Sequence, residues 1–265
     1  MIGAEGPVVS MTTYGDRERD AYLTIESIAL GRIKPSRMIL WLNERPSRLE
    51  YPKALQRLEK RGLEVKFTKD YGPHKKYYPY VKDEKIGDFP LVTADDDVIY
   101  PPSWLDGIWA AYLKEPSAIH CYRARMIAFD ANGDLRNYTS WNLCNTTEAS
   151  YAHFPTGTSG VIYSPEILKK LREVGDLFLN FCPMADDVWL HAHSLRAGFK
   201  VRQVAACAVI FHTLERTQSR SLQIQNLHGG KNDVQIRATY TEGDLSLIRS
   251  DLRGIKEHNE IMRST

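Results

Sequence analysis

Residues 90–102 read Pro-Leu-Val-Thr-Ala-Asp-Asp-Asp-Val-Ile-Tyr-Pro-Pro. A short apolar run enters three consecutive aspartates, continues through Val98 and Ile99, and stops at two prolines. Side chains alternate faces along a strand, so a strand through the triplet would put Asp95 and Asp97 on one side and turn Asp96 away. Two carboxylates at a strand end make a hard, oxygen-only site for a divalent cation. The competing reading is a solvated turn. An EF-hand fits poorly: counted from Asp95, the sixth residue is Tyr100 instead of Gly and the twelfth is Asp106 instead of Glu.

Working outward, strand and helix patterns alternate. Val8–Thr13 reads as a strand, 18–30 as a helix, Arg37–Leu42 as a central strand, 52–61 as a helix, Leu63–Thr68 as a strand and 74–85 as a helix. Pro90–Ala94 is then the strand that delivers the aspartates. Such alternation predicts an α/β fold with a mostly parallel sheet and helices on both faces. Right-handed crossovers place the strand C-termini on one edge, where ligands bind. Four loops should converge there: 12–17, 43–48, 69–76 and 95–100. None carries a glycine-rich phosphate cradle. Past the prolines the reading is a helix at 103–114, a strand-like run at 118–129, a turn at Asp130-Ala-Asn-Gly, a helix at 166–174 and a helix at 184–197. Short strands follow at 200–204 and 206–211, then a polar segment at 212–233 and a closing helix at 245–257, a mixed C-terminal half.

Length and composition bound the function. The chain has 265 residues, 43% of them hydrophobic and 26% charged, enough for one substantial core. A net charge of +2 gives no indication of a nucleic-acid partner. Cys121, Cys144, Cys182 and Cys207 are scattered and form no Cys-x-x-Cys pair. No run approaches a membrane span, and no basic and apolar signal segment opens the chain. The expected location is the cytoplasm, up to and including the inner face of a membrane.

Further elements carry chemistry. Asp186 and Asp187 open a helix, where acidic residues suit the macrodipole and where a partly desolvated carboxylate can be a general base. Thr156-Gly-Thr-Ser-Gly160 misses the Gly-x-Ser-x-Gly elbow, so it reads as a tight turn or as a loop that lets backbone approach a ligand. Lys75 and Lys76 with Tyr77 and Tyr78 read either as a phosphate or base contact or as solvated surface. His191 and His193, two apart on a helix, make a poor metal pair.

Over residues 7–215, Val9-Ser-Met-Thr-Thr-Tyr14, Thr93-Ala-Asp-Asp-Asp-Val-Ile-Tyr-Pro101 and Asp186-Asp187-Val-Trp-Leu together resemble a GT-A-type glycosyltransferase of the family-2-like kind, which includes bacterial capsule and lipopolysaccharide enzymes. The resemblance implies a single GT-A, Rossmann-like domain. Residues 7–115 would bind the nucleotide sugar, 116–211 the acceptor, and 212–265 would supply a mobile lid and C-terminal helix. It implies that Asp97 binds Mn²⁺ or Mg²⁺, that Asp95 contacts ribose or metal, and that His212 is the third metal ligand. Asp70 would meet the nucleobase; Thr12, Tyr14, Arg17, Lys76 and Asp96 would complete the donor site. Asp187 would be the base, with Asp186 where the family has glutamate, which leaves open which of the two acts. Asn232 and Asp233 would close over the donor. The implied activity is inverting, metal-dependent transfer of a hexosyl or N-acetylhexosaminyl group. The donor would be a nucleotide sugar, UDP-sugar first, and the acceptor a hydroxyl of a glycan or lipid-linked glycan in surface polysaccharide synthesis. The alternatives are a non-catalytic nucleotide-sugar module and a nucleotidyltransferase or metal-dependent hydrolase of similar fold.

Overall fold

The computed structural model describes residues 1–45, 47, 51–82, 89–214 and 230–264. In its first half, β1 (Val8–Thr12) leads through a 3-10 turn at Gly15–Arg19 to α1 (Ala21–Ala29). Then come β2 (Arg37–Asn43), α2 (Lys53–Glu59), β3 (Leu63–Thr68), a 3-10 turn at Gly72–Lys76, α3 (Tyr78–Lys82) and β4 (Leu91–Ala94). The second half runs β5 (Val98–Ile99), α4 (Trp104–Lys114), β6 (Ile119–Cys121), β7 (Ala124–Met126), β8 (His153–Pro155), β9 (Val161–Tyr163), α5 (Pro165–Val174), α6 (Phe178–Phe181), α7 (Asp186–Arg196), β10 (Val201–Gln203) and β11 (His212–Thr213). The helices α8 (Lys231–Thr239) and α9 (Glu242–Ser264) close the chain.

Seven strands form one sheet in the order β10-β6-β9-β4-β1-β2-β3. β1 pairs in parallel with both β2 and β4, and Val8 aligns with Arg37 on one side and Leu91 on the other. β9 pairs antiparallel with β4 and with β6, and β10 is parallel to β6. Thus β9 alone runs against the rest, and the expected α/β architecture with a mixed C-terminal half is present. Along β2, Met38, Leu40 and Leu42 enter one buried cluster with α1, α2 and α4, while Ile39 and Trp41 enter another with α3, α5 and α7. A strand apolar on both faces has to be covered on both faces, which explains the lack of polar alternation in its sequence.

Several expectations are corrected. Residues 95–97 are a turn between β4 and β5, not a continuing strand. The run 118–129 breaks at Tyr122 and Arg123, so β6 joins the main sheet while β7 pairs with β8. Residues 206–211 form no strand; Val209 N–H reaches Tyr122 O at 2.8 Å, and the strand is β11, antiparallel to β5. Of the segment read as a lid and tail, 215–229 lies outside the described residues, and 231–239 and 242–264 are helices, with α8 and α9 contacting α7.

The turn into β9 is tight. Gly160 has φ 96°, a left-handed conformation that disfavours side chains, and a Cβ there would lie 2.8 Å from Trp104 Cζ2. Trp104 is fully buried, and its Nε1 donates to Ser159 O at 2.9 Å. Gly160→Ala should therefore cost about 2–4 kcal/mol through strain and overpacking. Urea denaturation of the variant would test this, and an unchanged midpoint would refute the packing described.

Candidate functional site

The C-terminal ends of the parallel strands open into a cavity of about 480 Å³. From the first half, Thr12, Tyr14 and Arg17 line it after β1, Asn43 after β2, Asp70 after β3, Lys75 and Lys76 in the following turn, and Asp95, Asp96 and Asp97 after β4. From the second half come Arg123 and Arg125 beside and on β7, Tyr138, Thr156 and Gly157, the start of α7 at Asp186 and Asp187, Thr213 and Asn232. Thr12, Tyr14, Arg17, Asp70, Lys76, Asp95, Asp96, Asp97, Asp186 and Asp187, singled out in the sequence for donor binding or catalysis, all line this one cavity. His212 does not. It is exposed, and its neighbour Thr213 faces the cavity instead, as alternation along β11 requires.

The acidic turn is fixed by its backbone. Thr24 Oγ1 donates to Asp96 O at 2.9 Å, Leu214 N–H to Asp97 O at 2.8 Å, and Asp95 N–H to the buried Tyr100 hydroxyl at 3.0 Å. Because the triplet is a turn, its side chains do not alternate. Arg17 pairs with Asp96 and, at 2.8 Å, with Asp97, while Asp95 pairs with Lys76. Asp96 is thus not turned away: it is buried in the wall, and its Oδ2 makes no hydrogen bond of ordinary geometry. Burial pushes its pKa up to about 6 against the pull of Arg17. Burial alone would lower Arg17, yet Asp96, Asp97 and Asp95 together hold it above its usual value.

Lys76 joins the two halves. Besides Asp95, its Nζ lies 4.0 Å from Asp186, the buried first residue of α7. Despite burial, Asp95, Asp186 and Asp187 keep it charged well above the ordinary lysine range. Asp187 Oδ1 accepts the Gly157 N–H at 3.0 Å, so the Thr156–Gly160 loop supplies backbone to a carboxylate. A Cβ on Gly157 would lie 3.0 Å from that oxygen, which is why this position suits glycine. Burial and the Asp186 charge raise Asp187 well above the ordinary carboxylate range in spite of Lys76. A carboxylate so placed can accept a proton near neutral pH.

On the first-half rim, Asp70 accepts from Asn43 Nδ2 at 3.2 Å and from Gly72 N–H at 3.0 Å, and it pairs with Lys75 at 3.2 Å. Thr12 Oγ1 donates to Trp41 O at 3.0 Å, so it holds β1 to β2. Tyr14 is partly exposed, with the Arg17 guanidinium 5.7 Å from its ring centre. Asn232 lines the cavity, but Asp233 is engaged elsewhere, accepting the Tyr138 N–H at 2.8 Å. Arg123, Arg125 and Tyr138 were not singled out in the sequence: basic residues inside an apolar run carry no local sign of the wall they join. Cys121, Cys144 and Cys182 are buried thiols, and Cys207 is exposed.

No protein-family model matches the chain, and no curated protein does. Among solved structures, a mannosyltransferase from Pyrobaculum calidifontis in complex with GDP-Man and Mn²⁺ aligns with a TM-score of 0.53 at 15% identity, covering 86% of this chain and 62% of that one. The inositol-1-phosphate CTP transferase from T. maritima aligns with a TM-score of 0.48 at 10% identity, over 87% of this chain and 97% of its own. S. aureus TarS (1-349) gives 0.44 at 17% identity, over 74% and 57%. The chain has a GT-A-like, Rossmannoid α/β fold, and at these identities the likeness is one of fold. No helix among the described residues is long and apolar enough to cross a membrane.

The raised Asp187 pKa has a consequence for stability. The folded state holds this proton to higher pH than the unfolded chain does, so stability falls as pH rises from the unfolded to the folded value. Above both values the cost of the buried charge is fully present; below both it vanishes. Asp187→Asn, whose Oδ1 can still accept from Gly157, should melt higher than the wild type at about pH 8 and no higher at about pH 4. Calorimetry at both values is the check; a variant destabilised at the higher value would contradict the assignment.

Proposed function

We propose that the chain is an inverting, metal-dependent glycosyltransferase that moves a hexosyl or N-acetylhexosaminyl group from a nucleoside-diphosphate sugar to a hydroxyl of a glycan or lipid-linked glycan. The observation that carries the reading is that Asp187, a carboxylate raised above its ordinary range by burial and by Asp186, shares one cavity with the acidic turn 95–97. UDP-sugar is the leading donor, and surface polysaccharide synthesis is the setting that the sequence resemblance suggests.

The chain's own residues divide the work. Tyr14, Arg17 and Asp70 offer a ring, a cation and a carboxylate to the nucleotide, and Thr12 keeps β1 and β2 aligned beneath it. The acceptor hydroxyl sits at Asp187, which takes its proton as the oxygen bonds to the anomeric carbon. The carbon–oxygen bond to the diphosphate breaks, and its electron pair leaves with the diphosphate. Attack from the side opposite the leaving group inverts the centre, which passes through an oxocarbenium-like state. Asp186, buried against Lys76, holds the start of α7 in place and keeps Asp187 basic by repulsion.

The acidic turn suits a hard divalent ion of the Mn²⁺ or Mg²⁺ kind. Its ligands are oxygens only, and one buried carboxylate oxygen of Asp96 lacks a hydrogen-bond partner. Among the described residues no group of three or more His, Cys, Asp or Glu is arranged to hold an ion. On this reading Asp97 and Asp95 would hold the ion, as in sites where one or two carboxylates suffice beside a phosphate substrate. Bound there, the ion would stabilise the charge growing on the diphosphate. Arg17 must loosen its hold on Asp97 for this to occur, and it then becomes available to phosphate oxygens.

Mn²⁺ should bind weakly to the protein alone and much more tightly with a nucleoside diphosphate present, as read by electron paramagnetic resonance; equal affinity with and without the nucleotide would count against shared coordination. Asp97→Asn should lose that nucleotide-dependent binding, and EDTA should abolish transfer. Asp187→Asn should keep donor binding and lose about 10²–10⁴-fold in transfer rate. The wild-type rate should fall on acidification along a limb displaced above the roughly pH 4 range of an ordinary carboxylate. Donor binding without turnover on any acceptor would favour a non-catalytic module.

A further inference from the structure

Each cation on the first-half wall of the cavity has a carboxylate of its own: Arg17 has Asp96 and Asp97, Lys75 has Asp70, and Lys76 has Asp95. The opposite wall differs. Arg123, just before β7, and Arg125, on it, both line the cavity. Their direct partners are neutral. Arg123 Nη1 donates to Thr156 Oγ1 at 2.7 Å. Arg125 Nη1 donates to Trp141 O at 2.6 Å, and its guanidinium carbon lies 5.1 Å from the centre of the Tyr138 ring. Arg125 Nε is buried and makes no hydrogen bond. Neither arginine has a carboxylate within 4.0 Å among the described residues; Asp187 acts on Arg123 only through space. Two partly buried positive charges without acid partners cost free energy in the empty protein, and an anion entering the cavity offsets that cost.

We propose that Arg123 and Arg125, with Tyr138, form a subsite for an anionic group, a carboxylate or a phosphate, carried by the acceptor. This rests on reading the cavity as a transferase site. The side of the cavity argues for the acceptor over the donor. Thr156, Gly157 and Asp187 stand next to these arginines, whereas the acidic turn lies against Arg17 and Lys76. A planar guanidinium matches two oxygens of either anion, and the pair would fix the acceptor with its hydroxyl beside Asp187. The substrate class is then an acidic glycan, either a uronic-acid sugar or a sugar or polyol phosphate.

The test titrates glucuronate, glucose 6-phosphate and uncharged glucose into the full chain saturated with UDP and Mn²⁺, by calorimetry. One or both anionic sugars should bind at least about tenfold more tightly than glucose, as charge-assisted hydrogen bonds provide. The stronger of the two identifies the carboxylate or the phosphate source. Arg123→Gln should remove the preference and Arg123→Lys should restore part of it, with unchanged melting temperatures showing that both variants are folded. Arg125→Gln repeats the test at the second position. Equal affinity for charged and uncharged sugars overturns the subsite, as does a preference that survives Arg123→Gln and Arg125→Gln alike. Displacement of UDP by the anionic sugars would assign the arginines to the donor and also overturn it. Failure of UDP to bind at all would instead defeat the transferase reading, so the two failures are distinct.

Discussion

The site depends on one buried ammonium group. Lys76 reaches from the turn before α3 to Asp95 at the end of β4 and to Asp186 at the start of α7. These carboxylates come from distant parts of the chain, and bringing the partly buried Asp95 near the buried Asp186 without a cation between them would be costly. Lys76 in turn could not be buried without them. The arrangement is therefore mutual, and it fixes the distance between the wall that carries the acidic turn and the wall that carries Asp187. Arg17 performs the same task one step further along the turn. Burial that these two cations only partly offset holds Asp96 and Asp187 above the ordinary carboxylate range. The same imbalance that burdens the folded state gives the cavity a group able to take a proton at neutral pH.

Much of the fold was legible because it is written in short range. Apolar runs such as Met38–Leu42, separated by helix patterns and brief connections, specify covered parallel strands. The convergence of loops on one edge then follows from handedness alone, and Thr12, Asp70 and Asp95 do line one cavity. What failed was decided at long range. Asp96 was read as pointing away because the triplet was taken as strand; its burial depends on Arg17, 79 positions distant, and on Thr24 Oγ1 holding its carbonyl. His212 was read from its place after an apolar run, but that run is not a strand, and pairing of β11 with Ile99 and Val98 set its face. Arg123 and Arg125 were missed because β7 leaves the main sheet after Cys121, a departure that local pattern does not record.

The single antiparallel strand has an implication for how the molecule can be divided. β9 is hydrogen-bonded to β4 on one side and to β6 on the other, so it stitches the first half of the chain to the second. A cut between residues 115 and 116 would leave β4 with a bare, mostly apolar edge of the sort that recruits foreign strands. The second fragment would have the converse problem, a three-strand remnant whose β9 lacks its partner. Neither piece is a self-sufficient folding unit, and pairing across so many intervening residues makes assembly of the sheet a late, high-contact-order event. The two walls of the cavity are thus not modules that could be exchanged by recombination at their boundary. They would have to be inherited together, because the strand that follows the Thr156–Gly160 loop at Asp187 is the same one that pairs with β4 of the first half.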